Sequence, residues 1–171
     1  VVFAIHQIVS ALTKPGDSVL IQRPVYYPFS SAVTKLGRNL VNNPLVNKDG
    51  HYEIDFEDFE KKISDNRVKL FILSNPHNPV GRVWTREELL KLSEILVRHG
   101  VYVISDEIHE DFIYEGHRHT VFSTLSPEIA DLTITCTAPS KTFNLAGLQI
   151  SNLVITNDDL RRRYKETVKQ S

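Results

Sequence analysis

Residues 68–109 read VKLFILSNPHNPVGRVWTREELLKLSEILVRHGVYVISDEIH and set the architecture of the chain. The apolar runs at 68–73 and 101–104 predict two buried strands. Between them, Thr85 and Glu88 have the spacing of a helix capping box, three leucines follow at helical spacing, and Gly100 ends the pattern. A strand, a helix and a second strand in this order predict a crossover unit whose two strands run parallel.

The rest of the chain repeats this alternation, with strands that are continuously apolar. The pattern predicts an α/β fold, with a mostly parallel sheet flanked by helices on both faces. We expect further strands at 18–22, 39–45, 132–136 and 150–156. We expect the other helices at 1–13, at 29–36, after the N-cap residue Asp55, after Ser126 with Pro127 in first position, and after Asp158 or Asp159.

The composition limits the classes of function. With 171 residues, 41% of them hydrophobic, the chain is long enough for one domain with a core. The net charge of −1 provides no basic field for nucleic acid or anionic membranes, and no apolar run reaches the length of a membrane span. We find no secretory signal, and the single cysteine, Cys136, excludes an internal disulfide. These features predict a cytoplasmic protein without a nucleic-acid or membrane partner.

The ends of the chain indicate a fragment of a longer protein. The sequence contains no methionine. It also begins within a helical pattern, because Val1, Val2, Ile5 and Ile8 already have helical spacing. We therefore expect missing sequence at the N-terminus, and the C-terminus is open to the same interpretation.

Polar clusters follow three of the predicted strands, at residues 75–78, 106–109 and 140–141. In open parallel sheets, ligands bind at the carboxyl ends of the strands. The clusters belong to different strands, so the tertiary structure would bring them to one edge of the sheet. We therefore expect the functional site there.

These residue types match the needs of pyridoxal phosphate. Lys141 offers an amine for a Schiff base, and Asp106 offers a carboxylate that keeps the ring nitrogen protonated. Asn78 offers a donor to the ring hydroxyl, Tyr26 offers an aromatic face, and the opening helix offers its N-terminus to the phosphate. Each side chain also has a simpler interpretation. Lys141 would be a solvated loop lysine, Asp106 a helix N-cap, Asn78 a turn residue and Tyr26 a packing residue.

The motifs NPHNPVG (75–81), SDEIH (105–109) and SKTFNLAGL (140–148) together resemble the class I/II aminotransferase superfamily of fold type I. Within it they are most similar to the branch of cystathionine β-lyases and related cysteine-conjugate β-lyases. The resemblance covers essentially the whole chain. It implies that residues 1–171 are the central part of the large domain that binds pyridoxal phosphate, without the N-terminal segment and the small C-terminal domain.

The resemblance also implies roles for individual residues. Lys141 is the lysine that binds the cofactor covalently, Asp106 is the partner of the ring nitrogen and Asn78 is the partner of the ring hydroxyl. The other implied contacts are stacking by Tyr26, phosphate binding by the backbone amides of Val1 and Val2, and a place near the ring hydroxyl for His109.

Two positions depart from the usual aminotransferase pattern. Ala138 stands where these enzymes carry a serine that binds the phosphate, and Gln149 stands where they carry an arginine that does the same. Ser140, directly before Lys141, remains as a candidate phosphate ligand. The missing arginine is compatible with the lyase branch.

The resemblance implies a lyase that acts on cystathionine or related cysteine S-conjugates. In this α,β-elimination, Lys141 removes the α-proton as general base, and the products are a thiol, pyruvate and ammonia. A class I/II aminotransferase with the same residues is the alternative. For the complete protein the resemblance implies a homodimer and an amino-acid substrate, and we expect the isolated 171-residue chain to be inactive.

Two other classes of site fit the sequence poorly. The string DEIH after a strand also occurs in helicases, but residues 1–105 contain no Gly-Lys-Ser or Gly-Lys-Thr phosphate-binding motif. The spacing of Asp106, His109, His117 and His119 matches no usual set of metal ligands, so we predict no metal site. We expect His77, His117 and His119 on the surface.

Overall fold

The computed structural model describes residues 1–169, and a six-stranded sheet forms its centre. The strands of the chain are β1 (Ser18–Ile21), β2 (Asn39–Asn42), β3 (Val46–Lys48), β4 (His51–Glu53), β5 (Leu70–Ser74), β6 (Tyr102–Asp106), β7 (Thr133–Thr137) and β8 (Asn152–Val154). The central sheet has the order β2-β1-β5-β6-β7-β8, in which only β8 is antiparallel to its neighbour. The prediction of a mostly parallel sheet is confirmed.

Helices cover both faces of the sheet. They are α1 (Val2–Leu12), α2 (Pro28–Thr34), α3 (Phe56–Asn66), α4 (Arg86–His99), α5 (Pro127–Leu132) and α6 (Asp158–Lys169). The first, second and sixth pack on one face, and the other three pack on the opposite face. Along β5, Leu70 and Ile72 point into one core while Phe71 and Leu73 point into the other. This arrangement explains why the strands are apolar at every position.

The predicted helix ends of the central part are confirmed. Asp55 accepts a hydrogen bond from the N–H of Asp58 at the start of α3. Thr85 and Glu88 form both bonds of the capping box that begins α4. Gly100 ends this helix with φ of 63°, in the left-handed region that favours glycine. Helix α4 therefore begins and ends where its local sequence predicts.

The cap of α6 differs from the prediction. The side-chain oxygen of Asn157 accepts hydrogen bonds from the N–H groups of Asp159 and Leu160, at 2.9 and 3.2 Å. Asn157 is thus the N-cap, and Asp158 is already the first helical residue. The carboxylates of Asp158 and Asp159 instead pair with arginines one turn later.

Three other details were not predicted. The strand expected at 39–45 ends at Asn42, although the N–H groups of Asn43 and Leu45 still donate to the carbonyls of Ile21 and Arg23, at 3.0 and 2.8 Å. The antiparallel hairpin of β3 and β4 is exposed and lacks a clear apolar pattern. The strand expected at 150–156 is limited to β8. None of the helices within residues 1–169 has the length and apolar character needed to cross a membrane.

Candidate functional site

Three neighbouring strands carry the predicted site residues to one edge of the sheet. The strands β5, β6 and β7 end at Ser74, Asp106 and Thr137. A cavity of about 110 Å³ opens at this edge, and it is lined by Val1, Val2, Tyr26, Ser74, Asn78, Asp106, Ile108, His109 and Lys141. The structure thus brings all the predicted site residues together except Ser140, which is partly buried and does not line the cavity.

Asp106 is the buried acid of this cavity, with 7% of its surface exposed. Burial raises the pKa of its carboxyl to about 6, although a hydrogen bond from the N–H of Ile108 at 3.3 Å acts in the opposite direction. Residues 107–121, all of which the structure describes, contain no helix, so the interpretation of Asp106 as a helix N-cap is wrong. A buried carboxyl of this kind favours a cationic partner, as the ring nitrogen of pyridoxal phosphate would be when protonated.

The loops that carry Tyr26 and Asn78 are hydrogen-bonded to each other. The N–H of Tyr26 donates to the carbonyl of Asn78 at 3.0 Å. The N–H of Asn78 in turn donates to Oγ of Ser74 at 3.1 Å. Within residues 1–169, the side-chain amide of Asn78 has no hydrogen-bond partner, so it is available to a ligand. Tyr26 is 36% exposed, and its ring packs edge-on against Phe29. The residue can therefore pack on the protein and also offer an aromatic face to a ligand.

The N-terminus of α1 adds a site that suits an anion. Val1 and Val2 line the cavity at the start of this helix. No side chain caps the helix, and the N–H groups of a first turn have no partner within the helix. Unpaired N–H groups and the positive end of the helix dipole favour a phosphate here.

Lys141 reaches the cavity from the loop between β7 and β8. Its side chain is exposed, as the interpretation of a solvated lysine requires, but it also lines the cavity. Thr142 ties this loop to the segment after β6, because its hydroxyl donates to Oδ2 of Asp111 at 2.6 Å. In the described part of the chain, Nζ of Lys141 has no hydrogen bond or ion pair, so no other side chain holds it away from the cavity.

His109 lies between the cavity and a second, larger cleft. This cleft has a volume of about 560 Å³ and shares His109 and Asn78 with the smaller cavity. Its wall includes the exposed aromatic rings of Phe112 and Tyr114. Burial lowers the pKa of His109, and the positive charge of Lys141 lowers it further. A neutral imidazole therefore faces both spaces near neutral pH.

The sequence analysis missed the role of Glu107, which is fully buried. Its Oε1 accepts hydrogen bonds from Oγ of Ser105 at 2.7 Å and from the N–H of Phe122 at 3.0 Å. Its Oε2 accepts one from Nε2 of His119 at 2.7 Å. Glu107 thus joins β6 to the far end of the loop that carries His109.

Two of the three histidines expected on the surface are not there. His77 is 2% exposed and packs edge-on against Trp84. The side chain of His119 is 10% exposed because it turns inward to Glu107. His117 is exposed, as expected. In both inward cases a hydrogen-bond acceptor inside the protein outweighs the loss of hydration.

One trio of side chains has the spacing of metal ligands. The ligand atoms of Glu107, Glu110 and His119 lie within 4.8 Å of one another. Both oxygens of Glu107 already accept hydrogen bonds, and Nε2 of His119 donates one of them. We therefore assign the trio a structural role. It shares only His119 with the metal set considered from the sequence.

The two departures from the aminotransferase pattern lie in different surroundings. Ala138 is buried directly after β7. Gln149 is exposed and has φ of 50°, in a left-handed turn that follows a short 3₁₀ helix at Ala146–Leu148. Neither side chain carries a positive charge. Among the described residues no arginine lines the cavity, so the backbone amides at the start of α1 are the donors that suit the phosphate there.

Comparison with known proteins places these features in context. Residues 3–170 match the family described as aminotransferase class I and II. Over all 171 residues the chain is 53% identical to cystathionine beta-lyase PatB of Bacillus subtilis, and the match covers 44% of the length of that protein. It is 35% identical over 150 residues to kynurenine–oxoglutarate transaminase 3 of Rattus norvegicus, with 83% of this chain and 33% of that protein covered.

The fold agrees with this sequence similarity. The chain superposes on cystalysin of Treponema denticola, whose crystal structure contains pyridoxal 5'-phosphate, with a TM-score of 0.97 and 45% identity. The match covers 99% of this chain and 43% of cystalysin. The chain therefore spans less than half the length of each of these three proteins.

Proposed function

Because this chain belongs to the family of class I and II aminotransferases, we propose that it forms the central part of the pyridoxal-phosphate-binding domain of a larger enzyme. This enzyme is a C–S β-lyase that acts on cystathionine or related cysteine S-conjugates. The observation that carries the proposal is the single cavity that holds Lys141, Asp106, Asn78 and Tyr26. The 53% identity to a cystathionine β-lyase favours lyase chemistry.

The cavity residues fit the ring of the cofactor. Asp106 would pair with the protonated ring nitrogen, because a cationic partner would stabilise the charged form of this buried carboxyl. The side-chain amide of Asn78 would donate to the ring hydroxyl, close to His109. The ring of Tyr26 would stack on the cofactor face.

Backbone groups fit the phosphate of the cofactor. The amides at Val1 and Val2 would bind it at the N-terminus of α1. Ser140 would add its hydroxyl from the lysine loop. With Ala138 and Gln149 in place of the usual serine and arginine, this set is less cationic than in a standard aminotransferase. We therefore propose that phosphate binding depends mainly on neutral donors.

Lys141 has two tasks in this proposal. When bound, pyridoxal phosphate supplies a ring that stabilises negative charge at the α-carbon of the substrate. Nζ of Lys141 would hold the cofactor covalently and, once released from it, would accept the α-proton of the substrate. Loss of this proton allows the bond between the β-carbon and sulfur to break. The sulfur would leave as a thiolate that takes up a proton, and water would convert the remainder to pyruvate and ammonia.

An aminotransferase is the second candidate function. The 35% identity to a kynurenine–oxoglutarate transaminase favours it, and it uses the same cavity residues. In that reaction Lys141 would return the proton to a different carbon, and a keto acid would leave. For either reaction we propose a cytoplasmic homodimer that binds an amino-acid substrate, and we propose that residues 1–171 alone are inactive.

Borohydride reduction tests the site, and cystathionine tests the reaction. In the complete protein with pyridoxal phosphate, borohydride should fix the cofactor to the peptide that contains Lys141, and Lys141→Ala should abolish this labelling. The complete protein should release pyruvate from cystathionine without an added keto acid. Labelling of another peptide would refute the role of Lys141, and turnover that depends on a keto acid would favour the aminotransferase.

A further inference from the structure

We propose that His77 is a positioning residue, which holds the loop of Tyr26 at a fixed distance from the loop of Asn78. This proposal rests on the proposed function, in which Tyr26 would stack on the face of the cofactor ring and Asn78 would donate to its hydroxyl. His77 itself does not line the smaller cavity. Its effect on the site is transmitted by the backbone.

The imidazole of His77 bridges the two loops. Its Nε2 lies 3.0 Å from the carbonyl oxygen of Pro24. A carbonyl oxygen only accepts hydrogen bonds, so Nε2 must carry the hydrogen. The opposite ring nitrogen, Nδ1, is buried and has no partner within residues 1–169. The contact to Pro24 is therefore the one hydrogen bond of this ring within the described residues, and the backbone of Gln22 and Ser74 acts on its pKa as well.

The ring has little freedom to turn away from Pro24. It packs edge-on against Trp84, with 5.5 Å between the ring centroids and an interplanar angle of 84°. Nε1 of Trp84 donates to the carbonyl of Ser74 at 3.1 Å, and the guanidinium of Arg82 lies 4.6 Å above the indole. The position of His77 is thus set by the loop of Asn78 and by the start of α4.

The backbone of His77 is fixed as well. Its N–H donates to the carbonyl of Arg82, and its carbonyl accepts from the N–H of Gly81, both at 2.8 Å. These bonds close a tight turn around Asn78, the residue that follows His77. A displacement of the imidazole would therefore be passed to this turn.

Two hydrogen bonds connect the loops. One runs from His77 to Pro24, and the other runs from the N–H of Tyr26 to the carbonyl of Asn78. The partners on each loop are at most two residues apart, so the two bonds lie side by side. Without the bond from His77 to Pro24, the loop of Tyr26 could rotate about the remaining bond from Tyr26 to Asn78. The distance between the stacking ring and the Asn78 amide would then no longer be fixed.

The protonation state of His77 supports this role. Burial lowers its pKa to about 4 and the positive charge of Arg82 acts in the same direction, while the backbone at Pro24, Gln22 and Ser74 acts in the opposite direction. At neutral pH the imidazole is thus neutral and carries one N–H hydrogen, on either Nδ1 or Nε2. The contact to Pro24 uses this hydrogen.

Two substitutions in the complete protein separate hydrogen bonding from packing. His77→Gln keeps a donor that can reach Pro24 but loses the ring, and His77→Phe keeps a ring against Trp84 but loses the donor. We expect His77→Phe to weaken pyridoxal phosphate binding about tenfold, as for one lost hydrogen bond, and His77→Gln to stay within about twofold. Titration of the cofactor absorbance measures both values, and saturating cofactor should restore the turnover number of His77→Phe.

The opposite order of affinities would overturn the proposal, because ring packing would then be the important interaction. Absence of cofactor binding in the wild type would instead refute the proposed function. A measurement without substitutions guards against variants that do not fold. The ¹⁵N–¹H correlation spectrum of the wild-type histidines should show the hydrogen of His77 on Nε2, and a hydrogen on Nδ1 would refute the contact to Pro24.

Discussion

Glu107 accepts a 2.7 Å hydrogen bond from Nε2 of His119. The eleven residues between them, 108–118, form a loop whose two ends are joined by this bond. The carboxylate is fully buried and also binds Ser105 and the backbone of Phe122. Because Asp106 lies between Ser105 and Glu107, the same contacts hold the backbone that presents Asp106 to the cavity.

Replacement of Glu107 should be strongly destabilising. Glu107→Ala leaves three buried partners without an acceptor, so we expect the free energy of unfolding to fall by about 3 kcal/mol or more. Glu107→Gln retains one acceptor oxygen and should cost less. Glu94→Ala, at an exposed position of α4, is the control and should change the value by less than about 0.5 kcal/mol. Urea unfolding measures the difference, and equal effects of Glu107→Ala and Glu94→Ala would contradict the buried network.

Asp106 should destabilise the cofactor-free protein at neutral pH. Its folded-state pKa is raised from 3.8 to about 6, so the folded state holds this proton more tightly than the unfolded state does. The contribution to stability is therefore present below pH 3.8 and is lost as the pH rises through 6. Asp106→Asn removes the buried charge and should stabilise the cofactor-free protein by about 2–3 kcal/mol above pH 7, while it weakens cofactor binding.

Thermal unfolding of the cofactor-free protein at pH 7.5 and pH 4 checks the sign. The advantage of Asp106→Asn over the wild type should be large at pH 7.5 and small at pH 4. A constant advantage at both pH values would show that the ionisation of Asp106 is not its cause. A stabilised variant with unchanged cofactor affinity would contradict the role of Asp106 in binding.

The central fold was predictable because its signals are local. The capping box of Thr85 and Glu88, the left-handed stop at Gly100 and the apolar strands each depend on neighbouring residues. The cap of α6 was misassigned because Asn157, Asp158 and Asp159 are all good N-cap residues, and only the start of the helix distinguishes them. The hairpin of β3 and β4 was missed since its residues are largely exposed and follow no apolar period.

The convergence of the candidate site residues follows from the sequence most directly where they come after strands. Asp106, Asn78 and Lys141 come after apolar runs that end at the same sheet edge, so their convergence follows from the parallel topology. The inward positions of His77 and His119 depend on acceptors 53 and 12 residues away. No local pattern encodes such contacts. The sequence contained one signal of these contacts. Glu107 is an acid directly after a buried strand, and a buried acid needs a hydrogen-bond partner.

The left-handed conformation of Gly100 leads to a prediction about α4. At φ of 63° a side chain with a Cβ is strained, although no atom lies within 4 Å of the Cβ position. Gly100→Ala should therefore lower the free energy of unfolding by about 1 kcal/mol through the backbone alone. Gly100→Asn is the matched control and should cost less, because asparagine tolerates this region. In urea unfolding, a loss from Gly100→Asn as large as that from Gly100→Ala would contradict the backbone explanation.

The electrostatic contact between Lys141 and His109 can be measured directly. Burial lowers the pKa of His109, and the positive charge of Lys141 adds to this effect. In the cofactor-free protein, Lys141→Gln removes the charge, so the pKa of His109 should rise but stay below its ordinary value because the burial remains. Lys141→Arg keeps the charge and should leave the pKa lowered. Titration of the His109 ring proton by NMR measures all three proteins. An unchanged pKa in Lys141→Gln would show that burial alone acts on His109 and that the amine lies too far away to influence it.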